Sequence, residues 1–230
     1  MEAFRNKTLG QIVTEDHRAA TLMAKYRLDF CCKGKRTLET ACDEQHISVE
    51  ELMKELEALS VTQDTGTSFE NMSNSQLISH ILVKHHLYVK TESPQLLYFL
   101  QKIASKHGER HPELIGLQET FATLKNELEE HMEKEETILF PRLKEMTKES
   151  YPPIPGNFLA GPIQVMEAEH ETAGRLMEEI RRLTNDYTPP EDACTTYRVA
   201  FQGLEAYEKD LHQHVHLENN ILFPRAQVQA

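Results

Sequence analysis

The sequence contains His131-Met-Glu-Lys-Glu-Glu-Thr-Ile-Leu-Phe-Pro-Arg142 and, 83 residues further on (131 to 214), His214-Val-His-Leu-Glu-Asn-Asn-Ile-Leu-Phe-Pro-Arg225. Both stretches have the form H-x-x-x-E-x-x-I-L-F-P-R. A shared pattern of this length is not expected by chance, and its spacing indicates a duplicated helical hairpin. In an α-helix the His and the Glu lie on one face, so an imidazole and a carboxylate can bind the same ion.

The repeated His and Glu continue the apolar seam of their helices. Apolar residues precede each copy at steps of four and three, and the first series runs on through His131 and Glu135 to Ile138. These apolar residues are Leu117, Phe121, Leu124 and Leu128 before the first copy, and Leu204, Tyr207 and Leu211 before the second. A carboxylate in a helical core is costly unless a cation meets it, so we expect metal ions in this seam.

One further histidine precedes each copy of the repeat. His170 lies in the seam of another helical pattern, 44 residues before His214. The corresponding partner of His131 is either His86, 45 residues upstream, or His85, 46 residues upstream. Spacing favours His86 and helical periodicity favours His85, so the residues leave this position open.

Four imidazoles and two carboxylates suit two metal ions, with the glutamates available as bridges. Nitrogen and oxygen donors without thiolate indicate iron or manganese rather than structural zinc. The balance towards His differs from the Glu-x-x-His ferritin-like site and fits a non-haem di-iron centre of the haemerythrin kind. A single His-x-x-x-Glu would more simply be a solvent-facing pair, but two copies in register argue against that. His212 and His216 fall outside the pattern, and we expect them to face water or loops.

Helical periodicity between clusters of Pro and Gly predicts an all-α protein. Residues 1–60 predict a small helical domain, in which Thr8, Asp16 and Ser48 are candidate helix caps. Residues 61–75 are rich in Thr, Ser, Asn and Gln, which is the composition of a linker.

Residues 76–230 predict a four-helix up-down bundle, because their long helical patterns are separated by short Pro- and Gly-containing breaks. One of these breaks is Tyr-Pro-Pro-Ile-Pro-Gly at residues 151–156. Within the repeat, Pro141 and Pro224 predict kinks at helix ends.

Composition excludes several classes of protein. The chain has 25 Lys and Arg against 37 Asp and Glu, a formal net charge of −12, so a nucleic-acid partner is not expected. It contains neither an apolar run of membrane-spanning length nor the apolar stretch of a signal peptide at its start. Four cysteines do not make a disulfide framework in 230 residues, which favours cytosolic thiols and a cytoplasmic protein.

Two adjacent cysteines, Cys31 and Cys32, form the second unusual feature. Neighbouring cysteines do not easily bond to each other without backbone strain. The nearby Lys33, Lys35 and Arg36 are expected to lower the thiol pKa and to favour thiolate. The residues leave two interpretations open, a redox or soft-metal role and a pair of structural thiols.

In combination, these motifs resemble a known family. Asp-Phe-Cys-Cys-Lys-Gly-Lys at residues 29–35 precedes a bundle with His-Met-x-Lys-Glu-x-x-Ile-Leu-Phe-Pro and Leu-Glu-Asn-x-Ile-Leu-Phe-Pro. The chain resembles the iron–sulfur cluster repair di-iron proteins, the RIC family, over almost its whole length, including Pro-Pro-x-x-Ala-Cys-Thr-Thr at residues 189–196. It departs from the family at Lys33, where Cys-Cys-Gly-Gly is usual, and this departure bears on the conformation of the turn.

The resemblance implies a cytoplasmic bacterial protein that repairs iron–sulfur clusters after oxidative or nitrosative stress. It implies two iron ions, with or without a bridging oxo group, and a thiolate role for Cys31 and Cys32. It favours His86 over His85, because His80-Ile-x-Val-x-x-His86 matches a family phrase. The implied iron ligands are His86, His131, Glu135, His170, His214 and Glu218.

Three functions are compatible with these features. The leading hypothesis is a repair protein, rather than an enzyme, that donates or exchanges iron with damaged iron–sulfur client proteins. The alternative is a non-haem di-iron protein or sensor that binds or reduces NO or O₂. A purely structural module is disfavoured because Glu135 and Glu218 in a core need a cation. No membrane partner is expected, and homodimer formation stays open.

Overall fold

A computed structural model of the chain describes residues 2–60, 69–146 and 159–229. Within these ranges the chain is helical and has no β-strand, which confirms the all-α prediction. No helix in the described ranges combines the length and the apolar character that a membrane span needs. Residues 61–68 of the predicted linker and the predicted break at residues 151–156 lie outside the described residues.

Five short helices form the N-terminal part of the described chain. They are α1 (Glu2–Arg5), α2 (Leu9–Glu15), α3 (Ala19–Lys25), α4 (Leu38–Glu44) and α5 (Val49–Ser60). Thr8 caps α2 as predicted, since its side chain accepts from the Gln11 N–H while the Gln11 side chain accepts from the Thr8 N–H. Asp16 ends α2 and does not directly precede α3, which begins at Ala19. In the turn between them, Oδ1 of Asp16 accepts the Arg18 backbone N–H at 3.0 Å, the kind of bond predicted for it, and the carboxylate also accepts from the Arg18 guanidinium at 2.7 and 2.9 Å.

Four of the helices that follow in the described chain have 21 to 24 residues, and π-helical turns join three of these four to short helices. The helices that follow are α6 (Asn74–His80), α7 (Leu87–His107), α8 (Glu113–Lys134), α9 (Phe140–Met146), α10 (Ala160–Leu183), α11 (Thr195–Leu217) and α12 (Phe223–Gln229), with a 3₁₀ turn at Phe69–Asn71. The π-helical turns are π1 (Ile81–His86), π2 (Glu135–Leu139) and π3 (Glu218–Leu222). They connect α6 to α7, α8 to α9, and α11 to α12.

The chain divides into two compact units. The bundle unit contains residues 79–146 and 160–211 of the described chain, and the N-terminal unit contains the described residues up to 78, together with residue 159 and residues from 212 onward. Each unit has its own buried apolar side chains. In the N-terminal unit these include Leu9, Ile12, Met23, Leu38 and Leu52.

The bundle unit contains α7, α8, α10 and the first part of α11, each antiparallel to its neighbours. The end of α7 meets the start of α11 at the rings of His107 and Tyr197, 5.7 Å apart. Further along, the Ser93 hydroxyl lies 2.8 Å from that of Tyr207. The seam is buried as predicted at Leu117, Phe121, Leu124, Leu128, Leu204, Tyr207 and Leu211, and α10 adds the buried Ile163, Ala173, Met177 and Ile180. Each such side chain contributes roughly 1.5–3 kcal/mol by leaving water, except the smaller Ala173.

The two prolines of the repeat, Pro141 and Pro224, were predicted to kink helix ends. The helix instead continues past each of them, and each proline follows a π-helical turn. A proline lacks an N–H and clashes with the carbonyl four residues earlier, which a tight α-turn cannot accommodate. The N–H groups of Phe140 and Phe223 instead bond five residues back, to the carbonyls of Glu135 and Glu218. The extra residue in π2 also shifts the register. Ile138, a predicted seam residue, is therefore 49% exposed, and Leu139 is buried in its place.

Candidate metal centre

Four of the predicted ligands lie together in the bundle unit. His86, His131, Glu135 and His170 are each at most 2% exposed. One oxygen of Glu135, Oε2, lies 3.3 Å from Nε2 of His86 and 3.4 Å from Nε2 of His131. The Nε2 atoms of His131 and His170 are 3.0 Å apart. Three imidazoles, from π1, α8 and α10, therefore lie close to one buried carboxylate.

The separations between these donor atoms fit a metal ion. Two ligand atoms bound at about 2.1 Å on adjacent octahedral positions lie about 3 Å apart. His131, Glu135 and His170 each offer a donor atom within 4.8 Å of the other two. Imidazole nitrogen and carboxylate oxygen are donors that iron accepts, and burial excludes competing water. The described residues of this cluster therefore have the chemistry of a metal site.

The π1 turn determines which of two adjacent histidines faces Glu135. An α-helix turns about 100° per residue, so successive side chains usually diverge, but π1 is wider and both His85 and His86 are buried. His86 points its Nε2 to Glu135, while Nδ1 of His85 lies 3.0 Å from Oδ1 of Asp210. The structure places His86, and not His85, beside Glu135.

A second layer of carboxylates orients the histidine rings. Nδ1 of His86 lies 2.8 Å from Oε1 of Glu136, which also accepts a hydrogen bond from Lys90 at 2.7 Å. Burial alone would raise the pKa of Glu136, but the hydrogen bonds from Lys90 and His86 lower it below its usual value. Because the ionised carboxylate can only accept, Nδ1 carries the proton and Nε2 keeps a lone pair for a metal.

His131 has the same kind of support from the next helix. Its Nδ1 lies 2.9 Å from Oε2 of Glu169, which is also bonded to Lys134. The hydrogen bond from His131 lowers the pKa of Glu169 to about 2, against the opposing effect of burial. Sequence reasoning missed Glu136 and Glu169. Their adjacency to Glu135 and His170 was the only signal that could have identified them.

The remaining predicted ligands are His214 and Glu218. Both belong to the N-terminal unit, which includes the described residues from 212 onward. Nε2 of His214 lies 3.0 Å from Oε1 of Glu218, one helical turn further on. The two residues are 1% and 0% exposed. Glu218 begins π3 as Glu135 begins π2, so the two copies of the repeat share their local backbone as well as their sequence.

The cysteine turn of the N-terminal unit lies against the end of the repeat's second copy. Asn219 donates its side-chain N–H to the Cys31 carbonyl at 3.3 Å, and Asn220 donates to the carbonyls of Phe30 and Cys31 at 3.3 and 3.2 Å. His216, expected to be exposed, is buried in this region, and its ring meets that of Phe30 edge-on at 5.6 Å. Burial lowers the pKa of His216 to about 4, so its imidazole is neutral.

The cysteines themselves differ from their predicted electrostatics. Cys31 is buried and Cys32 is half-buried, and their Sγ atoms lie 3.8 Å apart without a disulfide. The hydrogen bond to Cys32 raises the pKa of Cys31 well above its usual value, and burial and Asp29 add to the effect. The prediction that nearby lysines lower this pKa is therefore wrong for Cys31, because burial and two electron-rich neighbours outweigh them.

An antiparallel bundle with buried histidine and glutamate donors defines a hemerythrin-like metal-binding protein. Residues 77–226 match the family model of the Hemerythrin HHE cation binding domain, and residues 5–60 match a Domain of Unknown function (DUF542). The hemerythrin-like domain implies iron binding.

Curated relatives align along nearly the full chain, and three of them are named Iron-sulfur cluster repair protein YtfE. The protein of Cronobacter sakazakii is 39% identical over 97% of both chains, and that of Dickeya chrysanthemi is 36% identical over 97% of both. The protein of an Enterobacter species is 38% identical over 97% of this chain and 98% of its own. The chain belongs to this family of iron–sulfur cluster repair proteins, which confirms the resemblance seen in its motifs.

Proposed function

We propose that the chain binds two iron ions and uses them to restore damaged iron–sulfur clusters in client proteins, by donating or exchanging iron. The observation that carries this proposal is the arrangement around Glu135, where one carboxylate oxygen faces the imidazoles of His86 and His131. The names of the relatives support the repair role. The six proposed ligands are His86, His131, Glu135, His170, His214 and Glu218.

The internal repeat supports two ions rather than one. His214 and Glu218 repeat the spacing, the burial and the π-helical context of His131 and Glu135. We therefore assign the two copies equivalent roles, with the glutamates as the candidate bridging ligands. A single ion would need only one of the two His–Glu pairs and would leave the second copy without a role.

The number of protein ligands is consistent with iron release. With the two glutamates shared, each ion has two imidazoles and two carboxylate oxygens as protein donors, fewer than the six of a closed octahedral shell. The carboxylates of Glu136 and Glu169 keep the Nδ1 protons of His86 and His131 in place, so their Nε2 atoms remain ready to bind metal again. The protein can therefore hold iron without enclosing it.

The domain organisation that we propose follows the composition of the sequence. Residues 1–60 form the cysteine-bearing domain, residues 61–75 form a linker and residues 76–230 form the iron-binding domain. The family matches at 5–60 and 77–226 support these limits. We assign the protein to the cytoplasm, where damaged iron–sulfur proteins are its clients, and we assign Cys31 and Cys32 a thiolate role in iron transfer.

The ligand assignment is tested by metal analysis of protein purified without oxygen. We expect about two iron ions per chain in the wild type. The Glu135→Gln/Glu218→Gln variant should lose them, because the amide keeps the side-chain volume but removes the charge that binds iron. The matched control is Glu133→Gln/Glu205→Gln, which changes two glutamates outside the core on α8 and α11, the helices that lead into π2 and π3.

The repair role is tested with the same proteins. Iron-loaded wild type and the control variant should restore activity to an oxidant-damaged [4Fe–4S] dehydratase, and the Glu135→Gln/Glu218→Gln variant should not. Ferrous iron added alone at the same concentration provides the baseline. Full iron content in the double glutamine variant would overturn the ligand set, whereas restoration no better than the baseline would overturn the repair role.

A further inference from the structure

The turn between α3 and α4 gathers three side chains that can bind a metal. Sγ of Cys31 lies 3.2 Å from Oδ1 of Asp29 and 3.8 Å from Sγ of Cys32. One donor atom from each of the three residues lies within 4.8 Å of the other two. Cys31 is 3% exposed, while Asp29 and Cys32 are half-buried, so the group is built into the turn but reachable from solvent.

The sulfur separation matches a bound ion and not a disulfide. A disulfide needs its sulfur atoms about 2.05 Å apart, and adjacent cysteines reach this distance only with strain. Two thiolates bound to one tetrahedral ion at about 2.3 Å lie about 3.8 Å apart. A carboxylate oxygen on the same ion would lie about 3.6 Å from each sulfur, and Oδ1 of Asp29 lies 3.2 Å from Sγ of Cys31.

Hydrogen bonds to the backbone hold the turn on both sides. Oδ1 of Asp29 accepts from the N–H groups of Cys31 and Cys32 at 3.1 and 2.9 Å, which fixes the position of the carboxylate. A carboxylate has about four lone-pair sites on its two oxygens, so it can bind a metal as well as accept these hydrogen bonds. On the other side, Asn219 and Asn220 bind the carbonyl of Cys31. Backbone bonds on both sides hold the sulfur atoms at a set separation.

The two copies of the repeat differ at the positions that make this contact. In the first copy Glu135 is followed by Glu136, which supports His86, and by the exposed Thr137. In the second copy Glu218 is followed by Asn219 and Asn220, which hold the cysteine turn. One copy thus orients a ligand of the bundle, and the other orients the thiols.

We propose that Asp29, Cys31 and Cys32 form a second metal site for a thiophilic divalent cation of the Fe²⁺, Co²⁺ and Zn²⁺ class, with Asn219 and Asn220 as its positioning residues. Binding replaces the two S–H bonds with two metal–sulfur bonds and releases two protons to solvent, so no electron is transferred. The carboxylate supplies the third ligand, and a fourth position stays available to an incoming or outgoing ligand. Only the identity of the natural ion, iron, rests on the proposed function.

Cobalt(II) tests this site in the full-length chain. The protein is reduced, loaded with iron without oxygen and titrated with Co²⁺, and sulfur-to-cobalt charge-transfer absorption is followed. We expect the band to saturate at about one Co²⁺ per chain. It should be lost in Cys31→Ser/Cys32→Ser and retained in Cys194→Ser, which changes the exposed cysteine. Asn219→Ala/Asn220→Ala should keep the band but weaken Co²⁺ binding about tenfold, as loss of outer-shell support does.

The readout separates this proposal from the proposed function. The six iron ligands contain no sulfur, so Glu135→Gln/Glu218→Gln should lose iron and keep the cobalt band. Cys31→Ser/Cys32→Ser should still hold the two iron ions assigned to the six ligands, which also shows that the variant folds. Absence of the band from the wild type, or its persistence in Cys31→Ser/Cys32→Ser, would overturn the second site and leave the iron ligand set untouched.

Discussion

Nδ1 of His86 lies 2.8 Å from Oε1 of Glu136, a residue that binds no metal in our assignment. Lys90 donates to both oxygens of the same carboxylate, at 2.7 and 2.8 Å. The Lys90–Glu136–His86 chain therefore fixes both the orientation and the protonation of a ring that presents Nε2 to Glu135. The same arrangement recurs on other helices, where Glu169 contacts both His131 and Lys134. The repetition indicates that these outer carboxylates are part of the metal site.

Replacement of Glu136 should weaken iron binding without changing the ligands. In Glu136→Gln the His86 N–H meets a neutral amide and Lys90 loses its counter-charge, so we expect about a tenfold loss of iron affinity. Iron retained against increasing chelator concentration measures the effect. Glu133→Gln, an exposed change on the same helix, is the control. Equal retention by Glu136→Gln and the control would contradict the supporting role.

The adjacent histidines provide a second comparison. His86→Ala should lose iron, because His86 faces Glu135, whereas His85→Ala should retain it. His85→Ala should instead lower the free energy of unfolding by about 1–3 kcal/mol, since it removes a buried ring and its contact with Asp210. Iron content and urea denaturation of both variants give the answer. Loss of iron from His85→Ala with His86→Ala unaffected would reverse the assignment.

The ambiguity between these two histidines shows what the sequence can and cannot predict. Regular α-helical periodicity from Ile78 and Ile81 points to His85, and this extrapolation fails because π1 adds a residue before His86. The same effect in π2 exposes Ile138 and buries Leu139. Residue spacing in the repeat was the better guide, because the 45 residues from His86 to His131 differ by only one from the 44 between His170 and His214.

The carboxylates that support the histidines and the contacts of the cysteine turn could not be predicted from the sequence, for a different reason. Glu136, Glu169 and Asn220 act through contacts with residues 38 to 190 positions away, and no periodic pattern marks them. The raised pKa of Cys31 likewise depends on burial, which the charges of neighbouring residues do not reveal. The long apolar seams and the helix cap at Thr8 were predictable because they depend on local sequence.

Close contacts around Asn220 predict that a side chain at Gly10 destabilises the chain. A Cβ at Gly10 would lie 2.3 Å from Oδ1 of Asn220, and one at Gly34 would lie 2.5 Å from the same atom. Gly10→Ala should therefore destabilise the chain by about 1–3 kcal/mol, although alanine otherwise favours a helix. Denaturation by urea measures the change.

Two further variants make that prediction specific. Gly161→Ala is the matched control, because no atom lies within 4 Å of a Cβ at this helical position, and its effect should stay within about 0.5 kcal/mol. Gly10→Ala/Asn220→Ala should lose less stability than the sum of its single changes, by about 1 kcal/mol, since truncation of Asn220 removes the clash. Additive effects would show that the strain at Gly10 arises elsewhere.

Two glutamates on α11 should differ sharply in their contribution to stability. Glu208 is 5% exposed at its side chain and accepts two hydrogen bonds from the Arg181 guanidinium of α10, one of them at 3.1 Å from Nε. Glu208→Gln leaves this partly buried guanidinium with only the more distant Asp186 carboxylate, 3.8 Å from Nη1, and should cost about 2–3 kcal/mol. Glu205 pairs with Lys209 on the surface at 47% and 67% exposure, so Glu205→Gln should change stability by less than about 0.5 kcal/mol.

Urea denaturation at low and at high salt distinguishes the two ion pairs, because salt screens the exposed pair much more than the buried one. Equal, salt-sensitive losses in both variants would mean that the Arg181–Glu208 pair is hydrated and does not hold α10 against α11.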